Sequence, residues 1–289
     1  ALALFSIRQE KFKKNALAKV IQSLFFSIIS IGIAYLAYSN TGLIIGRTLG
    51  LLISMLFLAL VTGYILKNIS FHELKKTSLK YVEYPKFGIL PALLNTFSSQ
   101  AIVFALQLYY TEKILGYFGF TALVLTAPLA LIGASYKDVF YQKIASLINQ
   151  NKSKLVKPLF LKSTLFLLCI SILIIIIFVL FGKNLFVLIF GEKWESSGIY
   201  ASILAVSFAI KLIVSPLSSI FNACNQLKKA AVWQLLYFVT TIIFFLIFAF
   251  ILKSDILLLL KAYVVHELIL YIIYYIIQYK LVLQLSHEV

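Results

Sequence analysis

Six polar side chains fall inside apolar runs of this 289-residue chain and could do chemistry there: Arg47, Asn95, Gln100, Lys211, His266 and Glu267. Ionisable groups within membrane-length apolar segments are costly, and they mark binding sites or buried pairs. Lys211 lies deep in SFAIKLIVSPLSSIF, too far from either end of its run for easy snorkelling. Two readings are open for it: a cation facing a wet cavity that attracts an anionic ligand, or half of a structural ion pair. Arg47, in GLIIGRTLG, carries a guanidinium that can clamp a phosphate bidentately, which a lysine cannot. It sits about two turns from its helix end, so snorkelling is its alternative. Glu267 is the deepest carboxylate, next to His266. It reads either as a coupling site for protons or sodium, with His266, or as the partner of Lys211. In LLNTFSSQ, Asn95, Ser98 and Ser99 share one helical face, and Thr96 with Gln100 form an adjoining one. Asn95 and Gln100 could meet water or could hydrogen-bond between helices. Lys137 and Asp138 read as interfacial.

Other chemistry is missing. The sequence has no phosphate-binding glycine loop, zinc spacing, nucleophile elbow or paired-acid motif. It has ten acids, few placed for acid–base work, and two cysteines, Cys169 and Cys224, without metal spacing. The expectation is a protein that is not an enzyme, has no metal and has no cofactor beyond a coupling proton or sodium ion.

Spanning helices position these residues. The chain is 62% apolar, against about 45–50% for soluble domains. Its continuous runs of about 20 residues match helices crossing a bilayer, not the alternation of a membrane barrel. The fold class is all-α and integral to the membrane, with eight spans near 16–39, 42–66, 87–111, 117–149, 155–182, 195–222, 229–252 and 256–284. LFVLIFG at 185–191 reads as a small interfacial helix. Gly42, Gly46 and Gly50 recur every fourth residue, a face for close helix contact. Pro91, Pro128 and Pro216 are expected to break or bend their helices. The net charge of +16 alternates along the chain. Lysines crowd every second connection, the others are nearly neutral, and both ends fall on the lysine-rich, cytoplasmic side. The charge therefore reports topology and not nucleic acid. FHELKKTSLKYVEY at 71–84, which includes His72, reads as an amphipathic helix on the inner membrane surface. Because the chain begins at Ala1 without Met, it reads as part of a longer protein.

YPKFGILPALLNTFSSQ followed by LTAPLALIGASYKDVFYQKIA resembles the polysaccharide-biosynthesis flippases of the multidrug/oligosaccharidyl-lipid/polysaccharide exporter superfamily. IRQEKFKKNALAKVIQS with GLIIGRTLG, LFVLIFGEKWESSGIY and FAIKLIVSPLSSIFNACNQLKKA fit the same family, in order along nearly the whole chain. The resemblance implies two lobes: residues 1–66 as the last two helices of the first, 67–86 as a cytoplasmic amphipathic linker, and 87–289 as a six-helix second lobe. It implies a bacterial inner-membrane protein that flips polyprenyl-diphosphate-linked oligosaccharide repeats by alternating access around a cationic cavity. That activity would serve O-antigen lipopolysaccharide, capsule or exopolysaccharide assembly. Arg47 would line the cavity from the first lobe and Lys211 from the second. The expected partners are the lipid-linked oligosaccharide, membrane lipids and the polysaccharide polymerase machinery. The alternatives are a cation-coupled drug exporter of the same superfamily and a non-transporting remnant.

Overall fold

The computed structural model describes residues 12–37, 41–62, 76, 79 and 83–287. The described residues are helical apart from turns and connections, and eight helices are long and apolar enough to cross a membrane. They are α1 Phe12–Ala37, α2 Gly42–Thr62, α3 Glu83–Tyr109, α4 Glu112–Asn149, α5 Val156–Phe190, α6 Glu195–Leu217, α7 Leu227–Phe245 and α8 Ile256–His287. The surface segment expected at 71–84, His72 included, falls almost wholly outside the described residues. The chain separates into two compact units, Ala1–Lys80 and Tyr81–Val289.

In the first unit α1 and α2 form an antiparallel pair held by glycine. A side chain at Gly46 would collide with Ser30 Oγ and stand 2.9 Å from the Phe26 carbonyl. One at Gly50 would stand 2.9 Å from the Gln22 carbonyl, and one at Gly42 3.0 Å from that of Ser30. Backbones this close gain dispersion contacts that a lipid tail cannot supply. Gly46→Leu is therefore expected to force the pair apart at a cost of about 1–3 kcal/mol. The check is the unfolding midpoint of detergent-solubilised protein. An unchanged midpoint would contradict the contact, and Leu43→Ala, on an exposed side chain, is the control.

In the second unit α6 is the central helix, packed against α4, α5 and α8. Its small residues explain this. Ser197, Gly198, Ala201, Ala205, Ser207 and Ala209 are all buried and leave room for neighbouring helices. Gly198 meets Gly182 of α5 so closely that a Cβ on Gly198 would stand 2.7 Å from the Gly182 carbonyl. Hydroxyls tie the bundle where there is no water. Thr121 donates to the Ser197 carbonyl at 2.9 Å, Ser197 to that of Tyr117 at 3.0 Å, and Ser171 to that of Ala209 at 3.1 Å. LFVLIFG, expected as a separate interfacial helix, is the last stretch of α5, which runs unbroken to Phe190. Gly182 and Lys183 look like a breaker, but Gly182 marks a helix crossing and Lys183 pairs with Glu195 at 2.6 Å.

Two apolar clusters fill this unit. One gathers Leu106, Leu125, Leu204, Leu259 and Leu260, and the other Phe140, Phe160, Leu217, Phe221 and Tyr274. The second lies at the end where Lys143, Lys152, Lys157, Lys228 and Lys280 collect in the sequence.

Candidate functional site

The irregular stretches of three helices converge on one hollow in the second unit. Pro128 removes a donor from the ladder of α4, and a π turn follows at Leu129–Gly133. Pro216 stands near the end of α6, where the helix gives way to a turn at Ser218 and Ser219. Pro91 lies inside the early part of α3. Pro91, Pro216 and the π turn all line a cavity of about 660 Å³ that also reaches the first turns of α7 and the middle of α8.

Its wall mixes aliphatic positions such as Ala92, Ala130 and Leu227 with amide, hydroxyl and aromatic side chains. Asn95, Ser215, Asn222, Gln234 and Tyr271 line it, and Lys137 is its only charged side chain among the described residues. The Gln234 amide nitrogen is buried without a hydrogen-bond partner. One side is a fixed aromatic stack. Trp233 lies on Tyr274 with ring centres 3.7 Å apart at 10°, and its indole N–H donates to the Leu270 carbonyl at 3.3 Å.

About one turn beyond Ser215 and Tyr271, at the seam between the two apolar clusters, Lys211 Nζ meets Glu267 Oε2 at 2.6 Å. The Glu267 side chain is 0% exposed and that of Lys211 17%. The Tyr237 hydroxyl donates to Glu267 Oε1 at 2.6 Å. The rings of Phe208, Tyr263 and Tyr271 surround the ammonium at 5.6, 5.7 and 5.7 Å. Lys211 and Glu267 thus neutralise each other inside an aromatic box, and Tyr271 joins that box to the cavity wall. His266 borders this box, its ring beside Phe244 and the box residue Tyr263 with centres 5.1 and 6.4 Å away.

The remaining sequence candidates separate. Asn95 lines the cavity, whereas Gln100 is exposed on α3 and is not part of that lining. The hydroxyls between them bond back to their own helix: Thr96 to the Ala92 carbonyl at 3.0 Å, Ser98 to Leu94 at 2.7 Å and Ser99 to Thr96 at 2.8 Å. In the first unit Arg47 lines a pocket of about 250 Å³ with Lys19, Gln22, Ser23 and Phe26, which places two cations and, among the described residues, no acid in one small concavity. Lys137, read from the sequence as interfacial, is a cavity residue. Thr126, Ala130, Gly133 and Lys137 recur at ordinary helical spacing, so their common face could have been read from the sequence.

The residues, the helices and the cavity can be set beside known proteins. A sequence model described as polysaccharide biosynthesis protein matches residues 2–199, which run from the start of the chain to the first turn of α6. Comparison with curated proteins finds no match, and comparison with solved structures finds none either. The match covers well over half of the chain, and the chain belongs to the polysaccharide biosynthesis protein family.

Proposed function

We propose that the chain is part of a membrane carrier that moves polyprenyl-diphosphate-linked oligosaccharide repeats from the inner to the outer leaflet of the cytoplasmic membrane. The observation that carries this reading is the cavity: a hollow in an apolar bundle whose mixed wall presents amides and hydroxyls among aliphatic positions, with one lysine and no carboxylate among its described residues. A diphosphate needs countercharge wherever the dielectric is low, and Lys137 supplies it. Sugars need hydrogen-bonding groups, which Asn95, Asn222 and Gln234 offer. The pocket at Arg47 and Lys19 supplies a second anion-binding position in the first unit. In this reading residues 1–66 end one lobe, 67–86 link, 87–289 form the other, and the lobes alternate access. Both ends of the chain lie in the cytoplasm, where the repeat units are made, and the polymerase machinery receives them outside. Glu267 is where a coupling proton or sodium ion would act. A drug-cation exporter needs a carboxylate facing its cargo, and among the described residues none lines the cavity. Cells lacking the full-length protein are expected to lose surface polysaccharide and accumulate lipid-linked repeats while drug tolerance stays unchanged. Intact polysaccharide with new drug sensitivity would overturn the proposal.

A further inference from the structure

A second hollow lies along α3 and α7. It is a groove of about 260 Å³, and among its described residues no side chain is charged. Ala101 and Ala105, both buried, form its floor. Phe97 and Phe104 of α3 and Phe238 and Ile242 of α7 form its walls. Tyr109 stands at its far end, with its ring centre 5.7 Å from that of Phe250. From Phe97 to Tyr109 the groove follows α3 for about 18 Å.

The groove carries on where the cavity stops. The cavity takes Asn95 from α3 and Gln234 from α7, and the groove begins just beyond them at Phe97 and Phe238. Residue numbers rise together along both helices, so the two hollows follow one another along a single seam. Each also borders a π stretch: Leu129–Gly133 at the cavity, and Leu246–Ile251, whose first residue lines the groove. Such stretches recur at functional sites.

An apolar groove in a bilayer gains nothing from hydrophobicity alone, because acyl chains are as apolar as its walls. Two other features select an occupant. One is a tether. A ligand whose head sits in the cavity holds its own tail beside the groove at high effective concentration. The other is shape. Ala101 and Ala105 lie one turn apart and leave notches between the larger Phe97, Phe104 and Leu108. A branched isoprenoid carries a methyl group on every repeat and fills such notches, which a linear acyl chain bridges. We propose that the α3–α7 groove holds the isoprene units nearest the diphosphate of the carried lipid, while the cavity holds the diphosphate and the sugars. The inference rests on the carrier reading above and adds where the tail lies. The start of the tail is read by the protein, and the remainder stays in the bilayer.

The test is photolabelling of the purified full-length protein in phospholipid nanodiscs. The probe is a polyprenyl-diphosphate oligosaccharide with a diazirine on an isoprene unit near the diphosphate, and labelled residues are mapped by peptide mass spectrometry. Label is expected within 97–109 and 238–246. Two control probes, a labelled polyprenol without diphosphate and a phosphatidylglycerol labelled in its acyl chain, are each expected to label these residues about tenfold less. Ala101→Phe with Ala105→Phe fills the floor and is expected to lower the glycolipid's label about tenfold. Leu165→Phe with Leu173→Phe, on exposed side chains of α5, is expected to leave it unchanged. Label outside the groove, equal labelling by either control probe, or undiminished label in the folded, floor-filled variant would each overturn the proposal. The first two results need only the wild-type protein. Glycan translocation measured on the same preparation keeps the two claims apart. Transport with label elsewhere overturns the groove alone, and label in the groove without transport overturns the carrier reading alone.

Discussion

Glu267→Ala is expected to destabilise the protein by about 3–5 kcal/mol, the largest effect of any single substitution in the second unit. The reason is the charge left behind. Lys211 is 17% exposed and ringed by Phe208, Tyr263 and Tyr271, so its ammonium cannot reach water without unpacking the seam. Tyr237 loses its acceptor at the same time, adding about 1–3 kcal/mol if its hydroxyl finds no substitute. Lys211→Ala should be nearly as damaging, since Glu267 is fully buried. Removing both charges is different. Lys211→Met with Glu267→Leu is expected to recover most of the loss, because desolvating a buried pair offsets much of its Coulomb attraction. Thermal unfolding in detergent of the parent, Lys211→Met, Glu267→Leu and the double variant closes the cycle. Additive single losses would mean that the two side chains do not act as a pair.

Lys137→Glu is expected to lower surface polysaccharide at least about tenfold at unchanged protein level. One unscreened charge contact across a few ångströms at a wet cavity wall accounts for about that factor, and reversal turns attraction into repulsion. Stability should change little, because Lys137 is exposed and no ion pair holds it among the described residues. Asp138→Lys, one residue along and absent from the cavity lining, is the matched control. Quantifying surface glycan by lectin binding, with immunoblotting for protein level, separates transport from expression. Wild-type polymer in the Lys137→Glu strain would remove the cation from the site.

Much of the architecture was legible because the bilayer imposes a coarse rule. A helix must be apolar for about 20 residues, and all eight runs satisfy it. The Gly42–Gly46–Gly50 face was legible for a similar reason: an added Cβ at Gly46 or Gly50 would stand 2.9 Å from a carbonyl of α1, so only a missing side chain permits the approach. The partner of Lys211 was one of two readings, since few acids lie deep enough to reach it. Where the sequence fell short, the missing information was tertiary. Thr126, Ala130, Gly133 and Lys137 share one face by an ordinary helical count, since eleven residues make about three turns, but nothing in the sequence says that this face lines a cavity. Gly182 and Gly198 each stand alone in sequence, and only the crossing of α5 and α6 makes them a pair. The polar stripe in α3 is the reverse case. Its spacing suggested a shared lining, but three of its hydroxyls turn back to their own helix, which leaves Asn95 in the cavity and Gln100 outside it.

The central claim is that the cavity carries a lipid-linked, anionic glycan across the membrane. Its most direct test is translocation by the full-length protein in proteoliposomes loaded with a polyprenyl-diphosphate oligosaccharide, read as the fraction of glycan open to an added, membrane-impermeant periodate. With wild-type protein that fraction should rise above the one-leaflet value, and with Lys137→Glu it should stay near that of protein-free vesicles. Equal exposure with and without the protein, or equal rates for wild type and Lys137→Glu, would contradict the account.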